Sequence, residues 1–156
     1  MAANNQTNQQ FEIDCFVGYR VNRRERTVKI LVKWADHSEP TWEPEAVLQE
    51  TAGRTLYSYW SDRGGRGRAT RLREFHVFRI LAKGWDRGQW RFHCQWVGYS
   101  TSGDDTTWEP ESKVMRIAPA AVAEWDASQA AANQAVPNQA ATNQASANQN
   151  APAANP

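Results

Sequence analysis

Two stretches of the chain alternate apolar and polar side chains with a period of two. In the first, apolar side chains stand at every second position from Val28 to Trp34, and two lysines and a leucine lie between them. In the second, the same alternation runs from Trp90 to Trp96. Successive side chains of a strand point to opposite faces of its sheet. Each stretch is therefore predicted to be a strand with one buried face.

Further elements surround each of these strands. Residues 11–17 and 75–81 are rich in β-branched and aromatic side chains and are predicted to form a preceding strand, joined to the central strand through a polar turn. A Trp-Glu-Pro motif follows each central strand, at Trp42 and at Trp108. Both tryptophans are expected to lie in the core, because burying an aromatic side chain removes a large apolar area from water.

A short helix is predicted to close each half of the chain. In the first half, Thr51 can cap a turn whose apolar side chains between residues 56 and 60 recur at three and four residues. In the second half, Pro119 suits a first helical turn, and an apolar stripe ends at Trp125.

The two halves repeat one another. Four aromatic positions of the first half have counterparts 62 to 66 residues later in the second half. Phe11, Trp34, Trp42-Glu43-Pro44 and Trp60 correspond to Phe75, Trp96, Trp108-Glu109-Pro110 and Trp125. Such self-similarity indicates an internal duplication. The predicted fold class is α+β, with two small modules that each have a three-stranded antiparallel curved sheet and a C-terminal helix.

The segments outside the two modules differ from them in composition. We divide the chain into a polar N-terminus at 1–10, a first module at 11–60, a basic linker at 61–73, a second module at 74–126 and a tail at 127–156. The tail is rich in alanine, asparagine and glutamine and carries no charge, so it cannot bury enough apolar surface to offset its ordering entropy. Both ends are expected to be disordered, and self-association through Asn and Gln contacts is an alternative role for the tail.

The cysteines and histidines do not suggest a metal site or a disulfide framework. The two cysteines, Cys15 and Cys94, and the three histidines have no zinc-ligand spacing. His93 and Cys94 are neighbours on a predicted strand, so their side chains point to opposite faces and cannot form a catalytic thiol–imidazole pair. No leader opens the chain, and no apolar run approaches ~18 residues. We therefore expect an intracellular protein without metal, cofactor, membrane contact or catalysis.

The net charge of +1 conceals a basic linker. Residues 61–73 hold five basic residues and one acidic residue, whereas both modules are mildly acidic. The basic residues are Arg63, Arg66, Arg68, Arg71 and Arg73. Arginines neutralise phosphates, and the intervening glycines leave the backbone free to follow a nucleic acid, so DNA or RNA binding is one interpretation. A solvated hinge whose arginines maintain solubility is the other.

Aromatic and acidic residues are concentrated just after the second central strand. Trp96 ends that strand, Tyr99 follows three residues later, and Asp104 and Asp105 come before Trp108. An aromatic face attracts a cation through its quadrupole. The pattern therefore favours a ligand that is both cationic and apolar, such as a methylated lysine.

Each half contains a motif in two parts, one at the end of the central strand and one at the Trp-Glu-Pro sequence. The two motifs are Lys33-Trp34 with Trp42-Glu43-Pro44-Glu45, and Gln95-Trp96-Val97-Gly98-Tyr99 with Trp108-Glu109-Pro110-Glu111. With the strand before and the helix after each, they resemble the chromodomain family, of the heterochromatin protein one and Polycomb type. The resemblance implies a nuclear chromatin protein that reads methylated lysine through three aromatic residues. In the second module the matching residues are Phe75, Trp96 and Tyr99, with Asp105 at the position of the family's acidic residue.

The first module departs from the family pattern. Its matching positions are Phe11, Trp34 and His37, with Glu39 as the acidic residue. A neutral imidazole is a weaker cage wall than a phenol ring, and a protonated imidazole repels a cationic ligand. The module is therefore either a divergent methyl-lysine cage or a unit that stabilises the second module, binds a partner protein or mediates self-association.

The resemblance also implies how a ligand peptide is held. The expected ligand is a histone tail with a heterochromatic di- or trimethyl-lysine mark, on the third core histone. Its main chain would add a strand between the segment from Phe75 to Val77, with His76 and Val77 in contact, and residues 111–115 on the other side. Lys113 and Met115 of the latter segment stand where family members usually have small polar or acidic residues.

Overall fold

The first module is an antiparallel sheet followed by helices. The computed structural model describes residues 12–135. Strands β1 (Ile13–Asn22), β2 (Thr27–Trp34) and β3 (Thr41–Pro44) form the sheet in the order β1-β2-β3. Helix α1 (Glu45–Ser61) follows directly, and the short helix α2 (Arg66–Thr70) lies in the linker.

The second module repeats this arrangement. Strands β4 (Val77–Asp86), β5 (Gln89–Trp96) and β6 (Thr106–Pro110) form an antiparallel sheet in the order β4-β5-β6. A 3-10 helix (Gly103–Asp105) precedes β6, and helices α3 (Glu111–Ile117) and α4 (Pro119–Ala135) follow it. Two three-stranded antiparallel sheets, each followed by helices, confirm the predicted α+β class.

The two sheets have the same strand register. Ile13 faces Trp34 in the first sheet, and Val77 faces Trp96 in the second. The first strand of each sheet then shifts register twice. In β1 the shifts lie between Ile13 and Cys15 and between Phe16 and Gly18. In β4 they lie between Val77 and Arg79 and between Ile80 and Ala82. Bulges of this kind bend a strand and raise its twist. Their recurrence at equivalent positions supports the duplication inferred from the tryptophans.

Each module has its own apolar core. In the first, the sheet face that carries Ile30 packs with Leu56 of α1. In the second, Phe92 and Val114 are fully buried, and Trp125 of α4 packs against them. Full burial of side chains of this size contributes about 1.5–3 kcal/mol each. The predicted helical residues therefore hold each helix against its own sheet.

The tryptophans of the two Trp-Glu-Pro motifs lie on the surface. Trp42 is 36% exposed and Trp108 is 46% exposed, so the expectation that both belong to the core is wrong. Strand alternation explains this, because Trp108 faces His93, which lies on the opposite face from the buried Phe92. The rings of Trp108 and His93 stack with centroids 4.8 Å apart.

The helices differ in part from those predicted. α1 begins at Glu45 rather than at Thr51, and it is kinked at Ala52, where φ is −142° and ψ is 40°. The second module has two helices where the sequence predicts one. α4 begins at Pro119, as predicted, but continues to Ala135, past the boundary placed at residue 126. Alanine has the highest helix propensity, which explains why the alanine-rich start of the tail is helical.

Several predicted segments lie outside the described residues. They are the polar N-terminus at 1–10, Phe11, and the tail from residue 136 onward. Within residues 12–135, no helix is both long enough and apolar enough to cross a membrane.

Candidate functional site

Three aromatic side chains from distant parts of the second module line one cavity. Phe75 precedes β4, Trp96 ends β5 and Tyr99 lies in the following loop. The ring centroid of Phe75 is 6.5 Å from that of Trp96 and 5.2 Å from that of Tyr99, with angles of 61° and 75° between the ring planes. All three rings line a cavity of about 690 Å³. The structure thus brings together the three residues that the sequence proposes as a cage.

Four carboxylates line the same cavity; Glu74 and Glu109 form salt bridges there with Arg26 and Lys113, which leaves Asp104 and Asp105. Asp104 and Asp105 belong to the 3-10 helix before β6. Oδ2 of Asp105 accepts hydrogen bonds from Ser100, at 2.5 Å from the hydroxyl and 3.3 Å from the backbone N–H. These bonds hold the carboxylate beside the rings. Negative charge together with aromatic faces around one space favours a group that is cationic and apolar.

A chain of hydrogen bonds orients Trp96. Its indole Nε1 donates to Oγ1 of Thr107 at 3.1 Å, and that hydroxyl donates to Oε1 of Glu109 at 2.8 Å. Nζ of Lys113 lies 2.6 Å from Oε2 of Glu109. Burial raises the pKa of Glu109, but the hydrogen bonds from Lys113 and Thr107 outweigh burial, so the pKa of Glu109 lies below its ordinary value. The carboxylate therefore stays ionised at neutral pH and keeps accepting these bonds.

The first module contains the same chain of hydrogen bonds. Nε1 of Trp34 donates to Oγ1 of Thr41 at 3.1 Å, and Thr41 donates to Glu43 at 2.6 Å. Thr107 and Glu109 are not among the site residues predicted from the sequence. Threonine precedes Trp-Glu-Pro in both halves, however, and this repeated four-residue motif is the signal that identifies them.

The expected peptide contacts are only partly where the sequence places them. His76 and Val77 line the cavity at the start of β4, which is an edge strand of its sheet. Lys113 also lines the cavity, but it lies on helix α3 together with the exposed Met115. The first turn of a helix keeps its main-chain N–H groups free of internal hydrogen bonds. Residues 111–115 are thus helical rather than extended, and their contact with a peptide stays a prediction.

The first module has a different cavity. Trp34 lines a space of about 600 Å³ together with two glutamates and several aliphatic side chains. His37 and Glu39 are exposed, and neither is among the described residues that line this space. Phe11 lies outside the described residues. Of the four residues proposed for the divergent cage, the structure thus places Trp34 at the cavity and His37 and Glu39 elsewhere.

Two of the five linker arginines are held by the first module. Arg66, on α2, is 3% exposed, and its Nε and Nη2 donate to the carboxylate of Glu45 at 2.8 and 2.7 Å. Arg63 stacks on Tyr59, with its guanidinium carbon 3.6 Å from the ring centroid. Because Arg66 is buried and paired, its inclusion among the nucleic-acid contacts is wrong.

All the linker arginines except Arg66 are exposed. They are Arg63, Arg68, Arg71 and Arg73, of which Arg73 also lines the cavity beside Phe75. Helix α2 occupies the centre of the linker. The linker is therefore a folded connection over that stretch rather than a solvated hinge.

The thiol of Cys94 lies in the second core. Burial raises the pKa of Cys94 to about 11, so the thiol is protonated at neutral pH and is a poor nucleophile. Cys15 is exposed. In the part of the chain that the structure describes, no group of three or more His, Cys, Asp or Glu side chains is placed to hold a metal ion.

Comparison with known proteins identifies one part of the chain. The model of the Chromo (chromatin organisation modifier) domain family matches residues 75–128. A search of curated proteins found no matching relative. The matched segment contains Phe75, Trp96, Tyr99 and Asp105, and Chromo domains are associated with chromatin and methyl-lysine reading in general. Residues 75–128 are therefore similar to a Chromo domain, and this supports a chromodomain protein.

Proposed function

We propose that this protein is a chromatin reader that binds a methylated lysine of a histone tail in the cage of its second module. The observation that supports this most directly is the convergence of Phe75, Trp96 and Tyr99 on one cavity beside Asp105, inside the segment that matches the Chromo domain. The proposed activity is binding without catalysis, in the chromatin of the nucleus.

The proposed mark is a heterochromatic di- or trimethyl-lysine of the third core histone. Methylation keeps the ammonium charge and removes N–H donors, so less hydration is lost when the group enters an aromatic site. Each ring would contribute about 0.5–2 kcal/mol. Together with main-chain pairing, this corresponds to a micromolar Kd, or roughly −8 kcal/mol. Asp105 would accept a hydrogen bond from the one N–H that dimethyl-lysine retains.

The tail would lie along the open edge of β4. Among the described strands, β5 is the partner of β4, and the edge at His76 and Val77 faces the cavity. An extended peptide can add a strand to such an edge, and its main-chain hydrogen bonds would supply affinity that does not depend on the mark. On its other side the peptide would meet the first turn of α3, including the side chain of Lys113.

We also propose that the first module is a second chromodomain-like unit with a different task. Its strand register and its Trp34, Thr41 and Glu43 hydrogen bonds match those of the second module. Its cavity, however, lacks the three-ring arrangement among the described residues. The first module would then have one of three roles: it supports the second module, binds a partner protein or mediates self-association.

Calorimetric titration with histone-tail peptides, trimethylated at each lysine in turn, tests the proposed function. Phe75→Ala and Trp96→Ala are expected to abolish binding while the thermal unfolding transition stays cooperative. The matched control is Trp85→Ala, which removes a tryptophan that is 62% exposed and faces Trp90 at the other end of β4. Wild-type affinity in Trp96→Ala would refute the cage, and loss of binding in Trp85→Ala would show that the site lies elsewhere.

A further inference from the structure

The loop that carries Tyr99 is hydrogen-bonded to a helix of the other module. Gln49 lies on α1 and is buried. Its Nε2 donates to the carbonyl oxygens of Trp96 at 3.1 Å and Tyr99 at 3.0 Å, and its Oε1 accepts from the backbone N–H of Gly98 at 2.7 Å. One side chain of the first module thus satisfies three main-chain groups between two cage residues.

Gly98 lets this loop pack directly onto the first module. Its φ is +83°, a conformation that L side chains rarely adopt. A Cβ at this position would collide with the side chains of Arg66 and Glu45. Glycine is therefore required at residue 98 both by its backbone conformation and by the surface on which the loop rests.

That surface is a buried ion pair behind two of the cage rings. Glu45 is 1% exposed, and besides the two bonds from Arg66 it accepts one from Nε1 of Trp60 at 2.7 Å. The guanidinium carbon of Arg66 lies 5.9 Å from the ring centroid of Phe75 and 5.7 Å from that of Tyr99. The carboxylate of Glu45 balances the positive charge of the Arg66 guanidinium. The rings therefore lie near a neutral ion pair rather than near an unpaired positive charge.

We infer that the first module is a positioning element of the methyl-lysine site, and that Gln49 and the Glu45–Arg66 pair hold Tyr99 in place relative to Phe75 and Trp96. The cage is then a composite of both modules, although all three of its rings come from the second. This inference rests on the proposed function for the identity of the ligand. The positioning role itself can be measured without any ligand.

The second module supplies only part of the support for this loop. Nε2 of Gln95 donates to the carbonyl oxygen of Tyr99 at 3.0 Å, but the same Nε2 also donates to the hydroxyl of Tyr57 on α1, at 3.1 Å. Loss of Gln49 would leave the Gly98 N–H without its partner, whereas the Trp96 carbonyl would keep the bond from the backbone N–H of Tyr99 at 3.1 Å. A buried N–H without a partner favours local opening of the loop.

Two neighbouring residues of α1 make a matched pair of variants. Gln49→Met removes all three hydrogen bonds while keeping a side chain of similar volume. Glu50→Gln alters the next residue, whose carboxylate contacts Arg79 of the second module at 2.8 and 2.9 Å in an exposed pair. Both changes affect contacts between the modules, and only the first affects the loop.

The first measurement is the affinity for a trimethyl-lysine peptide of the histone tail. Gln49→Met is expected to weaken binding by about tenfold, because a site that must be ordered by the ligand binds less tightly. Glu50→Gln is expected to stay within about twofold of the wild type, as is usual for exposed ion pairs. Equal affinities in Gln49→Met and the wild type would overturn the inference.

The second measurement is amide hydrogen exchange, which needs no ligand. In Gln49→Met the Gly98 amide is expected to exchange about tenfold faster or more, while the amides of β5 keep their protection. No change at Gly98 would overturn the positioning role, and so would uniform acceleration across β5, which would mean that Gln49 supports the whole fold. If the wild type bound no methylated peptide, the proposed function would fail, and the exchange result would still decide this inference.

Discussion

Trp96 and Thr107 are joined by a 3.1 Å hydrogen bond from the indole Nε1 to the hydroxyl Oγ1. Trp34 and Thr41 are joined in the same way, at the same distance, in the first module. In each case a glutamate two residues further along accepts a bond from the threonine. The repeated Thr-Trp-Glu-Pro motif therefore fixes the rotation of the tryptophan that lines each cavity, although its own tryptophan lies on the surface.

Thr107→Val is expected to weaken binding of a trimethyl-lysine peptide by about three- to tenfold, since one hydrogen bond contributes roughly 1 kcal/mol. The substitution keeps the shape of the side chain and removes the acceptor for Trp96. Calorimetry gives the affinity, and Thr41→Val is the matched control, with no expected effect. Identical affinities for Thr107→Val and Thr41→Val would show that this bond does not orient the cage wall.

Arg66→Met is expected to lower the free energy of unfolding by about 3–5 kcal/mol, because it leaves the Glu45 carboxylate buried without its partner. Urea denaturation followed by circular dichroism measures this. Glu74→Gln is the control, because Glu74 forms a 2.8 Å pair with Arg26 in which both side chains are exposed. It should cost no more than about 1 kcal/mol. Equal losses in the two variants would argue against a structural role for the buried pair.

Local patterns in the sequence predict the strands, and the family resemblance proposes the residues of the cage. Alternation marks β2 and β5, and the buried Ile30, Phe92 and Cys94 fall on the predicted faces. The family resemblance places Phe75, Trp96 and Tyr99 at one site, and the structure brings them to one cavity. Strand periodicity and a short motif suffice here because each depends on neighbours in the sequence or in the adjacent strand.

Contacts between the modules could not be predicted in this way. Gln49 reads as an ordinary polar residue, and Arg66 reads as one of five solvated arginines, because nothing local in the sequence shows which helix face meets a loop some fifty residues away. For Trp42 and Trp108 the prediction is burial, whereas the structure shows exposure. Their size suggests burial, but the strand face on which they lie decides their exposure.

Alkylation of the folded protein with iodoacetamide at about pH 8 is expected to modify Cys15 and spare Cys94, because the thiolate is the reactive form. Mass spectrometry counts the modified thiols, and in urea both should react.

Burial raises the pKa of Cys94 from 9.0 to about 11. The neutral thiol therefore favours the folded state fully below pH 9 and loses this effect as the pH rises toward 11. A fast-reacting Cys94 would contradict its place in the core.

Binding to DNA or RNA through the linker is expected to depend on its exposed arginines, Arg63, Arg68, Arg71 and Arg73. Each phosphate neutralised contributes about −0.9 to the slope of log affinity against log salt, so four arginines give a slope no steeper than about −3.6. Replacing the four by glutamine should flatten this slope. Replacing the exposed Arg23 and Arg24 in the β1–β2 turn should not. A slope that persists in the quadruple variant would exclude the linker as the contact.

A methyl-lysine cage must bind the methylated form of its ligand more tightly than the unmodified form. Its most direct test is calorimetric titration of the wild-type protein with one histone-tail peptide in four states: unmodified, monomethylated, dimethylated and trimethylated. We expect the di- or trimethylated peptide to bind in the micromolar range and the unmodified peptide to bind at least about tenfold more weakly. Equal affinity for the four states, at every lysine of the tail, would contradict the assignment of Phe75, Trp96 and Tyr99 as a methyl-lysine cage.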